Sequence, residues 1–141
     1  MSVYFYSVGV DFQIKEKSKY RNWLIKVSKF EKKEIELLEI NFVSENEIIR
    51  INKEYLHHNW PTDIITFDST YLNMLRAEIF ICIEVVKRNS KEYSQNNFRK
   101  ELDRVIIHGL LHLLGYSDNT TQEIAVMREK ENYYIPYLEL I

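Results

Sequence analysis

Apolar positions along the chain fall into blocks whose spacing switches between two and nearly four. Val3 to Val8, rich in Val, Tyr and Phe, reads as a first strand. From Ser18 onward, Tyr20, Trp23, Leu24 and Val27 recur at helical spacing with lysines opposite, predicting an amphipathic helix to about Phe30. Ile35 to Val43 predicts a strand, with Leu38, Ile40 and Phe42 alternating against Glu39 and Asn41. Ile35 and Leu37 sit on the other phase, so a slip or bulge is expected near Leu37. Ser44-Glu-Asn-Glu47 has the form of a capping box and opens a helix to about Tyr55, with Ile48, Ile51 and Tyr55 inward. His57 to Pro61 reads as an exposed loop in which the adjacent His57 and His58 point apart.

Thr62 to Phe67 is a short β-branched strand. A polar connection, Asp68 to Met74, leads to a second buried strand over Arg76 to Ile83 and a short helix over Glu84 to Lys91. Ser94 to Asn97 is turn-like, with Asn97 placed to cap a long helix. Leu102, Val105, Ile106, Leu110 and Leu113 form that helix's core stripe, and Ile107, Leu111 and Leu114 extend it nearly all round. A helix of this kind is enclosed by protein. Thr120-Thr-Gln-Glu123 is a second capping box. It opens a helix with Ile124, Met127, Glu131 and Tyr134 on one face and Pro136 at its end. Alternating strands and helices, with no repeat or linker, predict one α+β domain over residues 1–141, a small mixed sheet packed against helices.

One stretch carries chemistry: His108-Gly-Leu-Leu-His112-Leu-Leu-Gly115-Tyr-Ser-Asp118. Two histidines four residues apart leave the same helix face, with Cβ atoms roughly 5–6 Å apart. Gly115 tolerates the left-handed backbone that a sharp reversal after the last turn demands. That reversal can return Asp118 to the histidines. Two imidazoles and a carboxylate suit a divalent ion such as zinc, and three protein ligands leave a fourth position for solvent, as catalytic zinc sites do. The bland alternative is a pair of core histidines satisfied by hydrogen bonds. The coincidence of the histidine pair, the helix-stopping glycine and the following carboxylate favours the metal.

The stretch resembles the signature of the YbeY family, H-G-x-L-H-L-x-G-Y-D-H, in all but its last two positions. Tyr55-Leu-His-His-Asn-Trp-Pro-Thr-Asp63-Ile-Ile-Thr-Phe67 is similar to a second family segment, Y-R-x-x-D-x-P-T-D-V-L-S-F. The resemblance covers most of the chain. It implies a zincin-like fold and a metal-dependent, single-strand-specific endoribonuclease acting on ribosomal RNA of the small ribosomal subunit. It also implies one zinc ion, or another divalent metal, held by His108, His112 and Asp118. The chain departs from the family pattern where Asp118 aligns with a third ligand histidine, Leu56 with an arginine, and Ala77-Glu78 with Gly-Asp.

Composition narrows the setting. At 141 residues, 45% hydrophobic and 28% charged, the chain suits a single globular domain. Cys82 is the one cysteine, which excludes an internal disulfide and a thiolate-rich structural metal site. No apolar stretch reaches membrane-spanning length, and the N-terminus lacks signal-peptide character. A cytoplasmic location, without membrane association, is the expectation. The net charge of −2 argues against binding nucleic acid by bulk charge, although residues 1–35 carry eight lysines and arginines against four acids.

Zinc activates water at neutral pH and stabilises charge on phosphoryl or carbonyl oxygens, so hydrolysis is the chemistry expected. In H-E-x-x-H proteases the Glu after the first His is the general base. Gly109 occupies that position and carries no proton, which counts against a peptidase. Asp63 and Glu78, both near predicted strand ends, are the candidates for a base or substrate contact. A surface or capping role suits either equally. The non-catalytic alternative is a ribosome-associated RNA-binding module whose metal only stabilises the fold.

Overall fold

The computed structural model describes residues 2–141. Nine elements follow one another: β1 (Ser2–Val8), α1 (Lys17–Phe30), β2 (Glu34–Val43), α2 (Glu45–Leu56), β3 (Ile64–Asp68), β4 (Met74–Cys82), α3 (Ile83–Tyr93), α4 (Phe98–Leu113) and α5 (Thr121–Leu138). The strands form one mixed sheet in the order β1-β2-β4-β3. β1 and β4 both run parallel to β2, and β3 runs antiparallel along the edge of β4. The fold is therefore the expected α+β domain with a small mixed sheet. None of the helices is long and apolar enough to cross a membrane.

The two faces of the sheet differ. Val3, Phe5, Leu38, Ile40, Phe42, Leu75, Ile79 and Ile81 point into the main core, where α1 and α4 cover them and α5 packs on those two helices. On the other face, Ile48 and Ile51 of α2 cover Ile65, with Phe67 and Phe80 packed alongside. The expected slip lies in β2: Ile35 pairs with Leu75 and Leu37 with Arg76, leaving Glu36 as the extra residue. The bulge turns both Ile35 and Leu38 into the core, which strict alternation would have prevented.

Three local expectations change. Ser44 accepts from the Glu47 N–H at 3.2 Å, but the Glu47 carboxylate turns to Arg50 at 2.5 Å instead of reaching back. An oxygen of Glu84 takes the Glu45 N–H at 2.8 Å. Pro136 does not end α5, which continues to Leu138. Proline blocks the turn before it, not the one after, and burial of Leu138 in the core holds that last turn helical. Ile124, expected inward, is exposed, because α5 lies only partly under the core.

Helix α4 is the central element, with Leu102, Val105, Ile106, Ile107, Leu110 and Leu111 all at 1% exposure or less. It approaches the sheet at Gly109. A Cβ built there would lie 2.7 Å from Ile64 Cδ1 and 3.2 Å from Ile79 Cδ1. Gly109→Glu is therefore expected to destabilise the domain by about 3 kcal/mol or more, through overpacking and a buried unpaired carboxylate. Gly109→Ala needs only the ends of two isoleucines to shift, and gains helix propensity of about 1 kcal/mol, so it should stay within about 1 kcal/mol of the parent. Urea unfolding of the two variants checks both numbers.

Candidate metal centre

The reversal after α4 is built from the backbone. The Gly115 N–H donates to the His112 carbonyl at 3.1 Å and the Tyr116 N–H to the Leu111 carbonyl at 3.0 Å. This is the double bond of a Schellman motif, with Gly115 at φ 108° in the left-handed region. A few residues on, Thr120 caps α5: its hydroxyl accepts from the Glu123 N–H at 3.1 Å, while the Glu123 carboxylate accepts from the Thr120 N–H at 3.0 Å. Asp118 is held between these two rigid pieces. A third tie comes from just past the end of α1, where the Glu31 carboxylate accepts from the Tyr116 hydroxyl at 2.8 Å and also from the Tyr134 hydroxyl. Burial pushes the Glu31 carboxyl up, but hydrogen bonds from Tyr134 and Tyr116 and the nearby Lys130 ammonium outweigh it and leave it below the ordinary value.

These supports bring together the residues singled out in the sequence. His108 Nε2 and His112 Nε2 are 3.1 Å apart. Asp118 Oδ2 lies 3.3 Å from the first and 3.4 Å from the second. Ligand atoms held tetrahedrally at zinc's usual bond lengths are about 3.3 Å from one another, so the three atoms match one face of such a tetrahedron. They are the one group of three or more candidate ligands clustered closely enough to hold a metal ion among the described residues.

Behind His108 stands a residue that periodicity groups with Ile124, Met127 and Tyr134 on one face of the last helix. Glu131, 1% exposed, has Oε2 2.6 Å from His108 Nδ1. A carboxylate there accepts a hydrogen bond from Nδ1–H, which leaves the Nε2 lone pair free toward the cluster and fixes the ring. Its other oxygen faces Arg128 Nη1 at 3.2 Å and Arg104 Nη1 at 3.6 Å. Arg104 is in turn bound by Glu101, which is fully buried and also accepts from Ser94 Oγ at 2.8 Å. The signal in the sequence was an acid on an otherwise apolar stripe, which is costly unless partnered.

The two other candidates separate. Asp63 sits at the start of β3, its backbone carbonyl accepting from the Cys82 N–H at 2.9 Å. Burial raises its carboxyl above the usual range, against the pull of the Arg104 guanidinium, and Asp63 is not among the three clustered ligand groups. Glu78 alternates with Ala77 and Ile79 on β4 and lies on the opposite face of the sheet from α4. It lines a surface pocket with Arg50, Tyr55, Phe67 and Phe80, and is not brought to the cluster. His57 and His58 are exposed, with the His58 ring 4.3 Å from that of Trp60.

Known proteins resemble the chain over most of its length. A family model described as endoribonuclease YbeY matches residues 9–139. A protein named endoribonuclease YbeY from Cytophaga hutchinsonii is 37% identical over 132 residues, 93% of this chain and 92% of its own length. One from Christiangramia forsetii with the same name is 40% identical over 121 residues, 86% and 84% of the two chains. The solution structure of a Thermotoga maritima protein superposes with a TM-score of 0.64 at 30% identity, covering 96% of this chain and 88% of that one.

Two substitutions test the supports. Glu131→Gln keeps the shape but gives up the anion behind His108, and should lower metal affinity roughly 10- to 100-fold, read by competition with a chromogenic chelator. Glu31 has a folded-state value below its ordinary 4.5. Its contribution to stability is thus fully present above about pH 4.5 and is lost as the pH falls through the lowered value. Glu31→Gln should be less stable than the parent at neutral pH, and the gap should close on acidification below pH 4.5, as followed by urea unfolding across pH.

Proposed function

Because the chain belongs to the YbeY family, we propose that it is a metal-dependent endoribonuclease that hydrolyses phosphodiester bonds of single-stranded RNA. On this reading it acts in the cytoplasm on ribosomal RNA of the small subunit during its maturation. The observation that carries the reading is the triangle of His108 Nε2, His112 Nε2 and Asp118 Oδ2, with edges of 3.1, 3.3 and 3.4 Å. Two imidazoles and a carboxylate fit zinc, and the same donors accept iron(II) or manganese.

When bound, such a cation supplies a nucleophile from water at neutral pH and offsets the charge that builds on phosphoryl oxygens. The remaining work belongs to the chain's own residues. Glu131 holds the His108 ring and its tautomer. Asp118 brings a negative charge that neutral imidazole would lack. Asp63, whose carboxyl is raised by burial, is the side chain we assign to accept or return a proton. Gly109 is packed against Ile64 and Ile79, so no carboxylate can stand where metalloproteases of the H-E-x-x-H type keep their base.

His112→Ala should lose metal and RNA cleavage together, with cleavage down by about 1,000-fold or more, as expected when metal catalysis is removed. Metal content and cleavage of a labelled single-stranded RNA, with and without chelator, are the two measurements. Cleavage that persisted in the metal-free variant would overturn the mechanism. Metal-loaded parent protein that binds RNA yet cuts none would favour the non-catalytic module.

A further inference from the structure

Lys100, Arg104, His108 and His112 follow one another at four-residue intervals along α4. The first two border a groove of about 550 Å³ between the end of α3, the start of α4 and α5, with Tyr93, Arg128 and Asn132 on its walls. Its charge is segregated. The acids that partner Arg104 and Arg128, Glu101 and Glu131, are buried at 0% and 1% exposure. Lys100 and Arg128 are exposed, as is the Tyr93 ring, so solvent meets two cations and an aromatic face. The groove is also linked to the metal centre. Glu131 binds Arg128 with one oxygen at 3.2 Å and His108 with the other at 2.6 Å, so a single carboxylate separates a groove cation from a ligand ring.

We propose that this groove holds the single-stranded RNA beside the bond that is cut, with Lys100 and Arg128 on backbone phosphates and Tyr93 stacked on a base. The assignment rests on the ribonuclease reading above. Sites for single strands combine cations that track the backbone with aromatic rings on which unpaired bases stack. In a duplex the bases are already stacked and paired, so the Tyr93 face would reward a single strand only. Asn132, with a donor and an acceptor on the same wall, suits a sugar hydroxyl or base edge. The interaction recognises no sequence, because every base has a stacking face.

The test is binding of a fluorescein-labelled single-stranded 2′-O-methyl oligoribonucleotide, followed by anisotropy over a salt series with the metal-loaded protein. Tyr93→Ala and Lys100→Ala should each weaken binding about fivefold or more. Lys100→Ala should also reduce the slope of log affinity against log salt by about 0.7, the loss of one phosphate contact. Tyr93→Ala should leave that slope unchanged. Lys53→Ala, on exposed α2, should bind like the parent. Matching thermal melts and metal content show that the variants are folded and loaded. Groove variants that bind with parental affinity and slope, while the parent cleaves RNA, overturn the groove alone. A metal-loaded parent that neither binds nor cleaves RNA overturns the ribonuclease reading and the groove with it.

Discussion

The close approach of α4 to the sheet at Gly109 is the contact on which the site depends. A glycine there lets Ile64 and Ile79 pack against the helix backbone, and any side chain longer than a methyl would displace them. The contact sets the rotation of the helix as well as its depth. Successive α-helical residues turn by about 100°, so with Gly109 on the sheet, His108 and His112 fall on the same flank. The ligand pair thus inherits its direction from an apolar contact that touches no metal. The same contact removes the position at which a related arrangement of histidines would carry a general base.

A second requirement follows from burying α4 almost completely. Past the exposed Arg99 and Lys100, the helix carries His108, Glu101, Asp103 and Arg104 among aliphatic residues. Each has a partner from another element or a neighbouring turn: Glu131 for His108, Tyr20 for Asp103, Ser94 and Arg104 for Glu101. No buried side-chain nitrogen or oxygen is left without a hydrogen bond among the described residues. Such a network adds little net stability compared with an apolar core, but losing one member strands the rest. Its effect here is geometric. It holds the His108 ring in one orientation and ties α4 to α5, so the candidate metal ligands and the proposed RNA groove share one rigid frame.

Asp118, where the family signature has a histidine, changes the electrostatics without opening the triangle. An aspartate is shorter than a histidine, so its carboxylate reaches the cluster only because the chain is folded back tightly by Gly115 and Tyr116 and pinned again at Thr120. The added negative charge lowers the net charge of a loaded site by one. It also offers oxygen where the family offers nitrogen, a change that favours harder divalent ions relative to zinc. Leu56, where the family has arginine, leaves the end of α2 without that cation. Lys100 and Arg128 place positive charge on another side of the metal centre.

Much of this was legible in the chain itself, because it rested on local rules. The strand and helix periods, the Thr120 capping box, the bulge forced by Ile35 and Leu37 changing phase, and the His108-His112-Gly115-Asp118 spacing are all settled within a few residues. What local rules could not reach was the partner of each group. Glu131 lies 23 residues from His108, and Glu31 lies 85 from Tyr116. Asp63 and Glu78 looked equivalent as acids near strand ends until the register of β4 turned Glu78 to the face away from α4. Pro136 read as a helix end because intrinsic propensity ignores the burial of Leu138. Sequence spacing determines which side chains leave one turn together; only the packed fold decides what stands opposite them, since burial and long-range pairing set the cost of every unpartnered charge.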